Sequence, residues 1–510
     1  MPDRLRHPAF FLLLVVLFIV IALVCPTTAH ARFDIWRVDH TATSGDETGE
    51  DWPNAFLTIQ DALANGNLSA GDEILVADGT YHASVLRDDR SDSIVIDAIA
   101  NEDDNNIVLR GGYAGLGASN PDFFCPRTNV TRMSGDIGTA DADDLDTAWD
   151  DGTRSDNSYH ILKIGGVGSS TVIEGFTIEG GNADDTDFFG GAAVVEDGAE
   201  VWFIDCIFAA NSAGTESGTP VAGQGGAVFI DTPPSANKVV KFLLCRFFNN
   251  TADRGGGVSL KGDDSNTVQT EATFANTIMH DNTALSMLDG TPVKPFGSGG
   301  AIFVLDHARA LIVNSVLEGN TAERDAAAVA TITLAFGEFE ASTVVVSAIV
   351  WENRVGGNVN HFGTIGGSLN VDYSDVQGGH AGTGNIDTDP QLNTTTYIAG
   401  SSAIRNVGDP TPTDVPADVF DLDKDGNVSE KTPDYLRDIR VAGSAIDMGA
   451  YEFYQAGTCQ ADINSDGSVN VTDLLLLLAQ WCSAGCCSTI QSPADFGHDD
   501  DVDVVDLLTL

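Results

Sequence analysis

Residues 208–213 (FAANSA), 247–252 (FFNNTA) and 317–322 (LEGNTA) repeat one phrase, in which an apolar residue precedes an asparagine by three positions. The repeated asparagines are Asn211, Asn250, Asn282, Asn320 and Asn353. Glycine-led phrases, such as GGAV at 225–228, stand between them. Self-similarity at a period of roughly 20–50 residues indicates a solenoid.

The spacing of the asparagines indicates the kind of solenoid. Successive asparagines lie 39, 32, 38 and 33 residues apart, and the segment that leaves each asparagine alternates between long and short. Between these loops apolar residues follow a period of two, as in AVFI at 227–230, which is typical of strands. Strands this short must pair with the next coil, about 4.8 Å away. The sequence therefore predicts an all-β fold, a right-handed, single-stranded parallel β-helix.

The repeated asparagines have a structural interpretation and a functional alternative. Identical amides at one corner of stacked coils can hydrogen-bond along the stack, whereas the alternative is that they bind a ligand. We favour the structural interpretation, because such ladders are ordinary parts of solenoids. The Phe-x-x-Asn and Gly-Gly-Ala-(Ile/Leu/Val) phrases resemble the repeats of the polymorphic outer membrane protein family, which implies a surface β-helix.

A position with a small side chain also recurs in the same coils. The residues at this position are Cys206, Cys245, Thr277, Ser315 and Ala348. The pattern predicts small side chains stacked in the core, with Cys206 and Cys245 as neighbouring thiols. A disulfide between these two cysteines is the alternative in an oxidising compartment.

Three further segments define the predicted ends of the solenoid. Residues 57–63 have helical spacing and are predicted to cap the first open end. Residues 71–81 are predicted to form the first coil, and residues 445–453 (AIDMGAYEF) the last strand. Both of these coil phrases resemble the terminal coils of secreted bacterial β-helix proteins.

The amino terminus has the features of a secretory signal, which we assign to residues 1–31. Arg4 and Arg6 precede an unbroken apolar run at 10–24, and Ala-His-Ala at 29–31 matches the small-residue cleavage rule. No later segment is apolar over the ~18 residues that a membrane span requires. We expect a protein that is secreted or held at the cell surface, without a transmembrane segment once the signal is removed.

The charged-residue composition limits the classes of partner that the protein is expected to bind. The chain has 75 acidic and 25 basic residues, and its formal net charge is −50. Nucleic acid is excluded as a partner because phosphate binding requires clustered lysine and arginine. The same charge disfavours acidic polysaccharides and anionic membranes. Acidic loops instead suit divalent cations.

A predicted calcium loop follows the β-helix, which we assign to residues 32–455. Its candidate ligands are Asp462, Asn464, Asp466, Ser468, Asn470 and Asp473. These oxygen ligands occupy positions 1, 3, 5, 7, 9 and 12, and Gly467 stands where the loop must turn sharply. A run of leucines at 474–478 then predicts a helix. Loop followed by helix, with aspartate last, resembles the dockerin family.

A second, weaker loop follows at 495–506. Its candidate ligands are Asp495, Asp499, Asp501, Asp503 and Asp506. Gly497 offers no side-chain ligand at position 3, and Asp500 replaces the turn glycine.

The resemblance to dockerins implies a small α-helical, EF-hand-like module at 456–510, incomplete after its second loop. It also implies contacts with a cohesin-like or cell-surface partner at Val471, Thr472, Val504 and Val505.

A third acidic phrase lies within the predicted last coils. Asp421, Asp423 and Asp425 have the spacing of calcium ligands and precede Gly426. Position 12 of this phrase is Thr432, and Glu430 falls two residues short of it. The phrase predicts a calcium site with an incomplete ligand set.

No catalytic residue is predicted. β-Helices include polysaccharide lyases and hydrolases, but the polygalacturonase motifs are not present. The segments most similar to those motifs are Asp184-Asp185 and Gly379-His380-Ala381.

The sequence therefore favours a secreted, calcium-binding β-helix that binds carbohydrate or a surface. The long segments after Asn211 and Asn282 form its candidate binding face. A polysaccharide-degrading enzyme carried by a dockerin and a purely structural surface protein are the alternatives.

Overall fold

The fold consists almost entirely of short parallel strands. In the computed structural model the described residues are 34–98, 105–138, 153–168, 170–184, 188–214, 223–231, 238–262, 269–285, 297–334, 340–393, 395, 397, 399–424, 426–441 and 444–453. All secondary structure among them lies in one compact unit that begins at Ile35. The predicted signal at 1–31 and the dockerin-like module at 456–510 lie outside the described residues.

The strands form four sheets, which we number in the order in which the chain crosses them within a coil. In stacking order, sheet 1 contains Ile35–Val38, Glu73–Ala77, Val108–Tyr113, Thr171–Glu174, Val201–Ile204, Lys238–Leu243, Thr270–Ala275, Ala308–Val313, Ser342–Val346 and Ser368–Asp372. Sheet 2 contains Gly79–His82, Thr131–Ser134, Phe176–Glu179, Ile207–Ala209, Arg246–Phe248, Ile278–His280, Val316–Glu318, Ile349–Trp351 and Asp375–Val376.

The other two sheets complete each coil. Sheet 3 contains the two-residue strands Asn182–Ala183, Ser212–Ala213, Thr251–Ala252, Thr283–Ala284, Thr321–Ala322, Arg354–Val355 and Asn358–Val359. Sheet 4 contains Ile94–Asp97, Leu162–Gly165, Ala193–Glu196, Val228–Asp231, Val258–Lys261, Ile302–Leu305, Val329–Ile332 and Phe362–Ile365.

Apart from Asn358–Val359, which pairs antiparallel with Arg354–Val355, the strands pair in parallel with the equivalent strands of neighbouring coils. Phe208, for example, lies opposite Phe247, which lies opposite Met279, and Leu317 and Val350 continue the row. This in-register stacking confirms the predicted parallel β-helix. Crossover connections between parallel strands are right-handed in nearly all proteins, which agrees with the predicted hand.

The repeated asparagines form the predicted ladder, and all five are fully buried. Nδ2 of Asn211 donates to Oδ1 of Asn250 at 3.1 Å, and the same bond joins Asn250 to Asn282 at 2.9 Å. It then joins Asn282 to Asn320 at 2.9 Å and Asn320 to Asn353 at 2.8 Å. The ladder satisfies the buried amides at this corner, so the structural interpretation is confirmed.

The interior of the coils is stacked in the same way. The rings of Phe203, Phe242 and Phe274 lie parallel, with centroids 5.1 Å and 5.0 Å apart. Cys206 and Cys245 are buried free thiols, so the disulfide alternative between them is wrong. Each thiol donates instead to carbonyl oxygens of sheet 1, at distances between 3.3 Å and 3.4 Å.

The first end of the solenoid differs from the prediction in one respect. An α-helix at Ile59–Leu63, N-capped by Thr58, buries Ile59, Ala62 and Leu63 in the main core, as predicted for a cap. However, the strand Ile35–Val38 pairs with Glu73–Ala77, so residues 71–81 are preceded by one more strand of sheet 1. Among the described residues, short 3₁₀ helices also occur at Trp52–Asn54, Thr153–Asp156 and Ser402–Ile404.

The predicted last strand at 445–453 is wrong, because these residues form no strand. Their alternation is nevertheless real, since Met448 and Ala450 pack on the outer face of sheet 2. The carbonyl oxygens of Gly449 and Ala450 accept hydrogen bonds from the buried guanidinium of Arg440, at 2.6 Å and 3.1 Å, rather than from a neighbouring strand. The last strand of the stack is Asp375–Val376.

The C-terminal segment from 386 to 453, which we call the strap, covers the outer faces of two sheets. Val415, Leu422 and Ile446 pack against outward side chains of sheet 1, including Trp202 and Leu243. On sheet 2, outward residues such as Ile278 and Val316 contact Tyr397, Ala399 and Ile404 of the strap.

No helix of the described residues is both long and apolar enough to cross a membrane.

Candidate binding groove and candidate metal centre

Sheet 2 presents two rows of side chains outward. In the three-residue strands from Ile207–Ala209 to Ile349–Trp351, the middle residue enters the inner core, so the residues on either side of it face away from the core. The first outward row contains Ile207, Arg246, Ile278, Val316 and Ile349, and the strap covers its second half. The second row contains Phe248, His280, Glu318 and Trp351, which we call the aromatic–acidic row.

The aromatic–acidic row lies at the edge of the strap. The rings of Phe248 and His280 stack with centroids 5.1 Å apart, and Tyr397 of the strap stacks on His280 at 4.3 Å. Tyr397 therefore covers His280, which is only 4% exposed. Phe248, Glu318 and Trp351 remain partly exposed. The row is thus accessible on either side of the histidine.

His280 has defined hydrogen-bond partners. Nε of Arg246, which can only donate, contacts Nε2 of His280 at 2.8 Å, so Nδ1 carries the ring proton. Oδ2 of Asp281 and Oη of Tyr397 both lie 2.8 Å from that Nδ1. The Arg246 guanidinium also lies over the Phe248 ring, 4.9 Å from its centroid. These contacts fix the orientation of the row.

Acidic residues flank the row at the corner beside the asparagine ladder. Asp281, Gly319 and Glu352 occupy equivalent positions of successive coils and have φ values of 54°, 64° and 53°. A Cβ at Gly319 would meet Oδ1 of Asp281 at 3.1 Å. The glycine therefore leaves room for the Asp281 carboxylate to lie beside Glu318.

Glu318 of the row and the flanking Glu352 have opposite pKa shifts. Burial, followed by the charges of Asp281 and Glu352, raises the pKa of Glu318 to about 7. Glu352 accepts a hydrogen bond from Gln377, and this contact, helped by Arg354, lowers its pKa. Near neutral pH, one carboxyl is therefore about half protonated while its neighbour is ionised.

A half-open cavity of ≈ 250 Å³ adjoins the row through Arg246. Ile207 and Ile278 of the first outward row line one side, and Tyr435 and Tyr451 of the strap line another. Arg127 and Asp205 stand at its end, 3.6 Å apart. The cavity therefore lies between the β-helix and the strap.

The structure separates the residues of the third acidic phrase. Oδ1 of Asp421 accepts a hydrogen bond from the backbone N–H of Gly426 at 3.0 Å. Asp423 instead lies with Asp418 and Glu430, and one carboxylate oxygen from each falls within 4.8 Å of the others. Asp425 is outside the described residues. The sequence spacing therefore identified Asp423 as part of an acidic group. It missed Asp418, and it placed Glu430 two residues short of the expected ligand position.

The other predicted site residues fall into two groups. Asp184 pairs with Arg90 at 2.7 Å, and His380 is partly exposed and hydrogen-bonded to the Ala381 carbonyl, so neither belongs to the row. The calcium loops, with Val471, Thr472, Val504 and Val505, lie outside the described residues. So do 215–222 and 286–296, which contain most of the candidate loop face.

The row itself was missed by sequence reasoning. A signal for it was present, because the residue two positions before each repeated asparagine ends a strand of sheet 2. In the five repeats this residue is Ala209, Phe248, His280, Glu318 and Trp351, so from the second repeat onward it carries a ring or a carboxylate. The contribution of Tyr397, 117 residues from His280, carried no such signal.

Four stacked parallel sheets define this protein as a parallel β-helix. No family model matches the chain, and no curated protein matches it. Among solved structures, the pectate lyase Pel9A is similar at a TM-score of 0.39 and 12% identity, over 82% of this chain and 97% of that one.

Proposed function

We propose that this protein is a secreted, calcium-binding β-helix that binds a neutral carbohydrate chain along the aromatic–acidic row. The observation that carries this proposal is a set of partly exposed side chains on neighbouring coils, in which the rings of Phe248 and Trp351 lie on either side of Glu318, and Glu352 adjoins Trp351. Phe248 to Trp351 spans three steps of the stack, or about 14 Å. That length accommodates a short oligosaccharide.

The chemistry of the row suits a sugar. A sugar ring presents apolar C–H faces and a rim of hydroxyl groups, so it stacks on aromatic rings and donates hydrogen bonds to carboxylates. Phe248 and Trp351 offer the rings, whereas Glu318 and Glu352 offer the acceptors. The net charge of −50 opposes polyuronates, which favours a neutral chain.

Binding should depend on the two partly exposed rings. We expect Phe248→Ala and Trp351→Ala each to weaken binding of a neutral glycan about 10-fold, because each removes a stacking contact of about 1.4 kcal/mol. A screen of neutral polysaccharides followed by affinity electrophoresis measures the effect. Leu334→Ala removes an exposed apolar side chain elsewhere and serves as the control. Unchanged binding by the Phe248/Trp351 double variant would place the site elsewhere.

The opposed pKa shifts of Glu318 and Glu352 support a second candidate function, glycoside hydrolysis. Glycosidases use one protonated and one ionised carboxyl group. In this candidate mechanism, Glu318 protonates the leaving oxygen of a bound glycan and Glu352 activates water.

Hydrolysis would have a specific pH dependence. Glu318 must be protonated to act as an acid, so the rate should fall as the pH rises through about 7. Glu318→Gln should lower the release of reducing ends at least about 100-fold while binding persists. Measuring both properties on a glycan that binds tests this candidate. Absence of reducing ends from every bound glycan leaves binding alone as the function.

The calcium component of the proposal rests on the tail. Asp462, Asp466 and Asp473 bring three negative charges into a short loop, and a hard cation with oxygen ligands relieves their repulsion. A cohesin-like or cell-surface partner would then contact the tail at Val471, Thr472, Val504 and Val505.

Asp466→Ala should remove one bound calcium ion from the full chain, since it deletes a ligand oxygen. Asp500→Ala changes no expected side-chain ligand, so calorimetric titration should find the wild-type number of ions. If Asp466→Ala binds as many ions as wild type, the first loop is not a calcium site.

A further inference from the structure

A closed loop at 418–430 interrupts the strap. Its two ends are held together, because Ala417 and Lys431 form an antiparallel bridge and the N–H of Asp418 donates to the Glu430 carbonyl at 2.9 Å. Within the loop, Oδ2 of Asp418 accepts from the N–H of Leu422 at 2.8 Å. The closure places Asp418 and Glu430 side by side at the base of the loop.

The loop turns Asp423 back toward that base. One carboxylate oxygen from each of Asp418, Asp423 and Glu430 lies within 4.8 Å of the other two. A calcium ion binds oxygen at about 2.4 Å, so two ligands on opposite sides of it lie about 4.8 Å apart. The three oxygens are therefore close enough together to suit a shared calcium ion.

Asp418 provides a second, independent observation. Its side chain is only 1% exposed, and its Oδ1 accepts no hydrogen bond although Oδ2 does. Burying a carboxylate oxygen without a partner is costly unless a cation compensates for it.

The basic residues of the loop and its surroundings are engaged elsewhere. The ammonium of Lys431 donates to the Val415 carbonyl at 3.0 Å, and that of Lys424 lies 5.4 Å from the centroid of the Phe124 ring. Arg437 pairs with Glu174 and Asp205 of the β-helix, at 3.2 Å and 3.0 Å. Asp438 adds a further carboxyl, which interacts with the charge of Asp423.

We propose that Asp418, Asp423 and Glu430 together bind one calcium ion, which closes the strap loop on the β-helix. This ligand set differs from the spacing-based one, because Asp421 is used to hold the Gly426 backbone and Asp418 takes its place. Calcium fits better than magnesium, since magnesium–oxygen distances of about 2.1 Å require a tighter shell.

The ion would act on the packing of the strap. Phe420, inside the loop, packs edge-on against Trp202 of sheet 1, with ring centroids 4.9 Å apart. Leu422 belongs to the same apolar cluster, and its carbonyl accepts from Arg437 at 3.1 Å. When the ion draws Asp423 toward Asp418 and Glu430, it holds Phe420 and Leu422 in their packed positions. Calcium binding thus stabilises the cover over sheet 1.

Calorimetric titration of the full chain with calcium chloride tests the proposal. Asp423→Asn and Glu430→Gln are each expected to bind one calcium ion fewer than wild type. Asp421→Asn is the matched control, because its amide oxygen can still accept from Gly426, and it should bind the wild-type number. The tail loop is distinguished by Asp466→Ala, since the losses from Asp466→Ala and Asp423→Asn should add.

Proteolysis supplies a second readout for the same variants. Calcium should slow cleavage within 419–429 in wild type and in Asp421→Asn, but not in Asp423→Asn. Magnesium chloride at the same concentration should protect less. If wild type and both ligand variants bind equal numbers of calcium ions, or calcium protects Asp423→Asn as well as wild type, the proposal is overturned. Neither result depends on carbohydrate binding, which is measured on sheet 2.

Discussion

Phe247→Ala is expected to lower the free energy of unfolding of the β-helix by about 3–5 kcal/mol. The Phe247 side chain is fully buried, and its ring stacks on Phe208 with centroids 4.5 Å apart and planes at 5°. It also meets the edge of Phe242 at 5.4 Å. Alanine would leave a cavity between coils whose backbones are fixed by pairing on both sides, so collapse cannot fill it.

Denaturant unfolding followed by far-ultraviolet circular dichroism measures this loss. Phe248→Ala is the matched control, because the adjacent ring points outward and is partly exposed. A deletion confined to 215–222 is a second control and should barely change stability. It must not extend to Gln224, which is buried and bridges Phe189 and Arg254 in neighbouring coils. Equal losses from Phe247→Ala and the deletion would contradict the coil assignment.

Asn282→Ala is expected to cost about 3 kcal/mol or more, because several buried groups lose their partners together. Oδ1 of Asn282 accepts from Nδ2 of Asn250 at 2.9 Å, and its own Nδ2 donates to Oδ1 of Asn320 at 2.9 Å and to the Phe247 carbonyl at 3.0 Å. Each buried polar group left unsatisfied costs about 1–3 kcal/mol. The damage therefore extends into both neighbouring coils.

The same unfolding measurement tests the ladder. Asn358→Ala is the control, since Asn358 is exposed in the short antiparallel strand that ends sheet 3, and such surface changes usually stay within about 0.5 kcal/mol. Double variants of Asn282 and Asn250 should lose less than the sum of the single losses, because they share a hydrogen bond. A loss from Asn282→Ala as small as that from Asn358→Ala would show that the ladder contributes little stability.

The sequence was sufficient for the repeated features of the coil interior. A stacked coil places each residue against its copy in the next coil, so an asparagine at one corner must meet another asparagine. Recurrence in the chain therefore translated directly into contacts, for the Asn211–Asn353 ladder and for the stacked phenylalanines alike. The cap helix was also predictable, because helical spacing and the Thr58 cap are local properties.

The strap and both candidate sites depended on the tertiary structure. Val201–Ile204 is buried along its whole length, because its inner side chains face the core and Trp202 and Ile204 face the strap. A sequence cannot separate these two kinds of burial, since both require apolar residues. Likewise, Tyr397 reaches His280, and Asp418 reaches Glu430, through packing and loop closure rather than through repetition. Repetition along the stack therefore determined the coil, whereas non-repeating contacts on its outside decided the sites.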